Sequence, residues 1–232
     1  MALVKFGGGI LEMRGSVGGN TFSRNRYGNY VRSRTKPVDP KSTRQLAARN
    51  NIQALTQSWN ASLTEAQRAA WALYAENVNV LNALGETISL SGYNMFIRSN
   101  AILLGASQSE VHDGPTVFEL ATSDPSFAVS ISEATQNASV TFDNTMDWAN
   151  EDDAYMVIYQ GQPRQATRNF FNGNKRVLGV IEGNATTPPT SPATIAVDWP
   201  VVEDHKVAVY GRIVRADGRA SEPFRVDVDV AS

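Results

Sequence analysis

Short stretches of alternating apolar and polar residues dominate the second half of this 232-residue sequence. They are separated by turn-forming sequences such as "NEDD", "NGN", "TTPPTSP" and "ADGR". Short strands at regular spacing, each with one apolar face, are typical of an antiparallel β-sandwich. We therefore predict seven strands within residues 116–232, namely "FAVSIS", "ASVTFD", "AYMVIYQ", "RVLGVIEG", "TIAVDW", "KVAVYGRIVR" and "FRVDVDV".

The preceding segment, residues 41–110, has a helical period and predicts a small three-helix domain. The apolar residues Leu46, Ile52, Leu55 and Trp59 mark the first helix. The first helix is predicted to start at Ser42 or Thr43, and the second at a capping box formed by Thr64 with Gln67. The third is predicted to start near Ser91 and to end at Gly105. Trp71, Tyr74 and Val78 predict the buried face of the second helix.

Within the predicted N-terminal arm, residues 1–40, the stretch 15–40 is rich in Gly, Arg, Asn and Tyr and poor in aliphatic residues, so it cannot build a core of its own. Two stretches alternate with a period of two, and Gly28-Asn29 marks a turn between them. This pattern predicts a two-stranded β-ribbon with Phe22 and Tyr30 on one face and Val31 on the other. We expect this basic arm to bind a partner through Phe22, Arg24, Arg26, Tyr27, Tyr30, Arg32 and Arg34.

Charge is distributed unevenly along the chain, although the net charge is only −2. Residues 1–60 carry ten Lys or Arg and two acidic residues, whereas the remainder carries 11 Lys or Arg and 21 acidic residues. A basic segment attached to an acidic body favours an acidic partner. That partner is either the acidic face of a neighbouring copy or, as a less favoured alternative, the phosphate backbone of a nucleic acid.

No combination of residues predicts catalysis, a cofactor or a metal site. The sequence has no cysteine, two separated histidines, and no P-loop or Gly-x-Ser-x-Gly motif. His112 lies in the loop sequence "VHDGP", where a solvated or capping histidine is expected. The adjacent carboxylates Glu151, Asp152 and Asp153 do not face each other, and their spacing does not fit an EF-hand.

The sequence shows neither a signal peptide nor a run of about 18 apolar residues, so we expect no membrane contact.

Four aromatic residues of the second half, Trp148, Tyr155, Tyr159 and Trp199, could line a sugar-binding face, although such residues more often belong to a sandwich core. A carbohydrate-binding display module is therefore a further alternative.

The final stretch, "HKVAVYGRIVRADGRASEPFRVDVDV", resembles the F–G hairpin of a fibronectin type III domain. Val207, Val209 and Ile213 alternate into a tight turn, and a Ser-x-Pro sequence leads into the last strand. The early core tryptophan of that family has no clear counterpart here. The resemblance implies an immunoglobulin-like sandwich over residues 116–232.

Roughly residues 15–100 are similar to an uncharacterised group of proteins in phage and prophage gene clusters. The similarity rests on Gly15, Val17, Gly18, the basic ribbon from Arg24 to Arg34, Pro37, Pro40, Gln45 and Arg49, followed by "LTEAQRAAW" and "SGYNMFIRSN". It implies a virion component. We expect an α+β, multidomain, non-enzymatic structural protein of a tailed phage, assembled in the bacterial cytoplasm as a homo-oligomer with other virion proteins. Head decoration or cement, neck and tail positions all remain open.

Overall fold

The fold is seen in a computed structural model that describes residues 2–25, 28–36, 38–82, 84–168 and 173–232. Over these residues the chain is α+β, with three α-helices and several antiparallel sheets, none of them closed. None of the described helices is both long enough and apolar enough to cross a bilayer.

The N-terminal sheet is formed by the first four strands, whose bounds are Ala2–Leu3 (β1), Gly15–Val17 (β2), Asn20–Asn25 (β3) and Gly28–Ser33 (β4). Their order in the sheet is β1-β4-β3-β2. The ribbon of β3 and β4 is confirmed, but it is not two-stranded, because a short strand pairs with each of its sides.

The register of β3 and β4 corrects the predicted turn. Asn25 pairs with Gly28, so the strands are connected by residues 26 and 27, which lie outside the described residues. This register places Phe22 opposite Val31 and joins the two apolar side chains in one cross-strand pair. Phe22 and Val31 therefore share a face, whereas Tyr30 lies on the other face, contrary to the predicted arrangement.

The helices confirm the predicted start and end signals. Their bounds are Thr43–Gln57 (α1), Glu65–Asn77 (α2) and Gly92–Gly105 (α3), and a π-helical turn, Ser58–Ser62, follows α1. Capping boxes begin α1 at Ser42 and α2 at Thr64, and Ser91 caps α3. A hairpin that was not predicted, Asn79–Leu81 (β5) with Thr87–Ser89 (β6), lies between α2 and α3.

The core of the helical layer contains the predicted buried face of α2, with Trp71, Tyr74 and Val78 all buried. The predicted first helix is confirmed with Leu46, Ile52 and Leu55 in α1, and Trp59 lies in the π-helical turn that follows. Leu55 is buried, whereas Leu46 and Ile52 are each 43% exposed. The reason is geometric: α1 packs on α3 near its C-terminal end, and its first turns extend beyond that contact.

All seven strands predicted in the second half are confirmed. Their bounds are Ala128–Ser132 (β7), Asn137–Thr141 (β8), Tyr155–Gly161 (β9), Lys175–Glu182 (β11), Ala193–Ala196 (β12), His205–Val214 (β13) and Phe224–Asp229 (β14). An additional two-residue strand, Arg164–Gln165 (β10), pairs with β13. One sheet has the order β12-β8-β7, and the other joins β11, β9, β13 and β14. Residues of both sheets, including Val140, Ile158 and Ile213, share one hydrophobic core.

The helical layer packs against the outer face of the larger sheet. Ile102 and Leu103 of α3 belong to one buried cluster with Val157 and Val214 of the sheet. Arg98 of α3 also donates hydrogen bonds to the carbonyl oxygens of the loop between β13 and β14. The division into domains at residues 1–40, 41–110 and 116–232 stays a prediction.

Candidate interaction surface

The N-terminal segment adds almost nothing to the buried core. Between Leu3 and Ala54, none of the described side chains is buried, and Leu55 is the first buried residue among those described. The segment nevertheless exposes several large aliphatic side chains, with Leu11 at 93%: Ile10, Leu11, Val17, Val38, Leu46 and Ile52. Single exposed hydrophobic residues are ordinary, but half of the large hydrophobic side chains that are exposed among the described residues lie in this one segment.

The same segment carries basic side chains without acidic partners. Within the described part of the chain, no ion pair or hydrogen bond is formed by the exposed side chains of Arg24, Arg32, Arg34, Lys36 and Lys41. Other basic residues of the segment are paired, for example Arg49 with Asp39 at 2.9 Å. The unpaired residues therefore leave a positive surface on and just beyond the N-terminal sheet.

The predicted partner-binding residues are distributed over both faces of this sheet. Phe22 and Tyr30 are half-buried, and the register places Arg24 on the face of Phe22 and Arg32 on the face of Tyr30. Arg34 lies just after β4, where its backbone N–H donates to the Gly19 carbonyl oxygen at 2.7 Å. Arg26 and Tyr27, which were also predicted to bind the partner, lie outside the described residues.

The edges of the ribbon are less open than the sequence suggested. Leu3 of β1 pairs with Tyr30, and the Val4 N–H donates to the Asn29 carbonyl oxygen at 2.9 Å. On the other side, Gly15 of β2 pairs with Phe22. Short flanking strands occupy backbone groups that a partner's strand would need, so the two faces offer more contact area than the edges do.

A groove of about 360 Å³ separates the N-terminal sheet from the β5–β6 hairpin. Its apolar lining comes from Leu3, Val4, Phe6, Ile10, Leu11 and Leu84. Lys5 forms an ion pair with Glu86 across it, and this contact, together with a hydrogen bond from Asn82, lowers the pKa of the Glu86 carboxyl. The loop of the hairpin thus meets the N-terminal segment in an exposed polar contact, which the sequence patterns did not predict.

A polar cluster missed by sequence reasoning lies at the π-helical turn. Ser58 Oγ donates to Glu110 Oε1 at 2.6 Å, and His112 Nε2 lies 2.7 Å from the same oxygen and 3.3 Å from Ser58 Oγ. In a hydrolytic triad the histidine contacts serine and carboxylate through different ring nitrogens. Here Nε2 contacts both, so the cluster holds the loop against α1 and gives no activated serine. His112 is thus not simply a solvated or capping side chain.

Carboxylates of the acidic loop are engaged within the fold. Asp143 accepts hydrogen bonds from Thr145, Glu151 pairs with Arg215, and Asp152 accepts from the Ala185 N–H at 2.9 Å. Across the described ranges, no group of three or more His, Asp or Glu side chains is placed to hold a metal ion.

The aromatic residues considered for sugar binding are mostly internal. Trp148 and Tyr155 are 1% and 9% exposed, so neither lines an open face. Tyr159 packs in the cluster beneath α3, and the ring of Trp199 is covered by Arg176, whose guanidinium carbon lies 3.9 Å from the ring centroid.

Comparison with known proteins supports no functional assignment for this surface. No family model, curated protein or solved structure matches the chain.

Proposed function

We propose that this protein is a non-enzymatic structural component of a tailed-phage virion that assembles through its N-terminal sheet. The observation that carries the proposal is the segment between Leu3 and Ala54, which is ordered into strands and a helix but buries none of its described side chains. An isolated surface of this kind is stabilised when a partner covers it. The assignment to a virion rests on the resemblance over residues 15–100.

Side-chain contacts support a protein partner. Arg24 with Phe22 on one face, and Arg32 with Tyr30 on the other, combine cationic and aromatic groups that are enriched in protein interfaces. Unpaired guanidinium groups bind carboxylates in charge-assisted hydrogen bonds. The acidic body of a neighbouring copy offers such carboxylates, and each copy would then donate one sheet and accept another.

The second half of the chain is proposed to be an immunoglobulin-like sandwich that projects from the assembly as a spacer or display domain. Strand order supports this assignment. The smaller sheet, β12-β8-β7, and the larger sheet, with β9 and β13 at its centre, correspond to the two packed antiparallel sheets of that architecture.

The test compares the full chain with the triple variant Arg24→Gln, Arg32→Gln and Arg34→Gln by light scattering over a range of protein concentrations. We expect the full chain to form oligomers that negative-stain electron microscopy shows as rings, tubes or regular clusters. The triple variant should remain monomeric at concentrations where the full chain associates, because the cations that pair with the neighbour are absent.

Arg14→Gln is the matched control, because Arg14 lies in the same segment but already pairs with Glu12 at 2.9 Å. It should assemble like the full chain. Circular dichroism should show the same fold in all variants, since none of the substituted side chains is buried. A full chain that stays monomeric, or a triple variant that assembles normally, would contradict the proposal.

A second candidate is binding of the N-terminal sheet to a nucleic acid. The unpaired Arg24, Arg32, Arg34 and Lys36 favour it, because exposed cations of this kind contact phosphates. With four such contacts on duplex DNA, log K should fall with log salt concentration with a slope of about −3 to −4. DNA binding with this slope, in a chain that does not self-associate, would establish the second candidate in place of the first.

A further inference from the structure

We propose that the groove between the first turns of α1 and the start of β11 binds the carboxylate groups of an acidic protein segment. This groove has a volume of about 480 Å³ and lies apart from the N-terminal sheet. It is lined by Ser42, Arg44, Gln45 and Ala48 on one side and by Asn174, Lys175, Arg176 and Trp199 on the other. The inference is independent of the assembly proposed above.

Positive charge exceeds negative charge in the groove. Arg44, Lys175 and Arg176 line it, and the carboxylate beside them is Asp198, at 2.7 Å from Arg176 and 3.5 Å from Arg44. The hydrogen bond from Arg176 lowers the pKa of Asp198, so this carboxylate is ionised at neutral pH. One acidic group therefore faces three cations, and the groove retains a net positive charge.

Lys175 is the cation least compensated by acidic groups. Its Nζ lies 3.3 Å from the centroid of the Tyr210 ring, and no ion pair joins it to a carboxylate of the described chain. Burial, and then the like charges of Arg225 and Arg212, lower the pKa of Lys175. An anion bound beside Nζ would offset this repulsion.

Arg212, whose charge contributes to the lowered pKa of Lys175, is a further positive charge near this lysine. It donates to the Ser221 carbonyl oxygen at 2.9 Å, but its Nε is buried without an acceptor, and it forms no ion pair within the described ranges. Burial, and then the charge of Arg98, lower the pKa of Arg212 to about 10. Burying a guanidinium without a carboxylate partner raises the free energy of the folded state, and a nearby anion lowers it again.

The aromatic groups favour a protein carboxylate over a nucleic acid. Proteins that bind single strands stack bases on open aromatic faces. Here Arg176 covers the ring of Trp199 and Lys175 covers the ring of Tyr210. On each ring, the face in contact with the cation is closed to stacking, and the groove offers cations and amide groups, such as those of Gln45 and Asn174, to a carboxylate.

The experiment is isothermal titration calorimetry of the full chain with a hexaglutamate peptide and, separately, with a hexathymidylate oligonucleotide. We expect the peptide to bind in a salt-dependent manner, and Lys175→Gln to weaken binding about tenfold, the effect of losing one charge-assisted contact. Lys206→Gln is the matched control. It removes a cation of β13 that pairs with Asp229 at 3.7 Å and that belongs neither to this groove nor to the N-terminal sheet, so it should leave peptide binding unchanged.

Three results would overturn the proposal. They are the absence of peptide binding at millimolar concentration, peptide binding that is equally strong in Lys175→Gln, and preferential binding of the oligonucleotide through Lys175. Circular dichroism of both variants checks that the fold is retained. If Lys175→Gln alters the fold, Arg44→Gln replaces it, because Arg44 is an exposed helix residue with the same expected effect.

Discussion

At the scale of single residues, buried polar side chains fix the segment that connects the helices to the second half of the chain. Asn100 is fully buried and contacts both backbone groups of Val111, accepting from its N–H at 2.6 Å and donating to its carbonyl oxygen at 3.1 Å. The Trp71 indole donates to the His112 carbonyl oxygen, and the Tyr74 hydroxyl donates to that of Glu119. Each side chain satisfies its own polar group while anchoring the loop.

Tyr74 provides a prediction about pH. Burial raises the pKa of Tyr74 to about 12, above the usual value for an unfolded chain. A raised pKa means that the folded state keeps a proton that the unfolded state has lost. The contribution of Tyr74 to the free energy of unfolding should therefore be constant below about pH 9.5 and fall by up to about 2 kcal/mol between pH 10 and 12.

The measurement is urea unfolding of the wild type and Tyr74→Phe at several pH values. The variant lacks the hydroxyl, so its stability should fall less steeply above pH 10. Equal slopes for the two proteins would show that other groups account for the alkaline loss.

At the scale of elements, the close approach of α3 to α2 depends on a glycine. A Cβ at Gly92 would lie 2.7 Å from both Cα and N of Ala72, which are backbone atoms that cannot move aside easily. Gly105, near the other end of α3, has no atom within 4 Å of the corresponding position. Two glycines of one helix thus have different environments.

Gly92→Ala should destabilise the protein by about 1–3 kcal/mol, because the helices must separate to admit the methyl group. Gly105→Ala should be neutral or slightly stabilising, since alanine has the higher helix propensity and meets open space. Thermal unfolding of both variants checks the pair. A Gly92→Ala protein as stable as Gly105→Ala would contradict the packing seen here.

At the scale of the whole molecule, a shared hydrophobic cluster joins the helical layer to the larger sheet. Leu103 of α3 is 1% exposed and packs with Val157 and Val214. Arg98 adds hydrogen bonds to the carbonyl oxygens of Ala220 and Ser221 at 2.9 and 3.2 Å. We therefore expect the helices and the sheets to unfold together, although the sequence predicts them as separate domains.

Leu103→Ala should lower stability by about 2–5 kcal/mol and shift the loss of helical and of tertiary signals together. Far- and near-ultraviolet circular dichroism during urea unfolding would follow the two signals. Leu73→Ala is the control, because Leu73 is 50% exposed and its loss should cost well under 1 kcal/mol. Two separate transitions in the wild type would instead support independent domains.

Local patterns were enough to predict most elements of this chain. The capping boxes at Ser42 and Thr64, the helix start at Ser91 and the seven alternating strands all depend on residues close together in sequence. The buried face of α2 was predictable for the same reason. The basic character of residues 1–40 was likewise visible, because it is a matter of composition.

Long-range packing determines which surfaces of the molecule remain open. The pairing of β1 with β4 and the packing of α1 on α3 depend on contacts between parts of the chain that are distant in sequence. These contacts leave Leu46 exposed. The groove at Lys175 and Trp199 forms because α1 passes beside β11, more than 100 residues later. Periodicity specifies which side of an element is apolar, but not which element covers it, and that choice requires long-range packing.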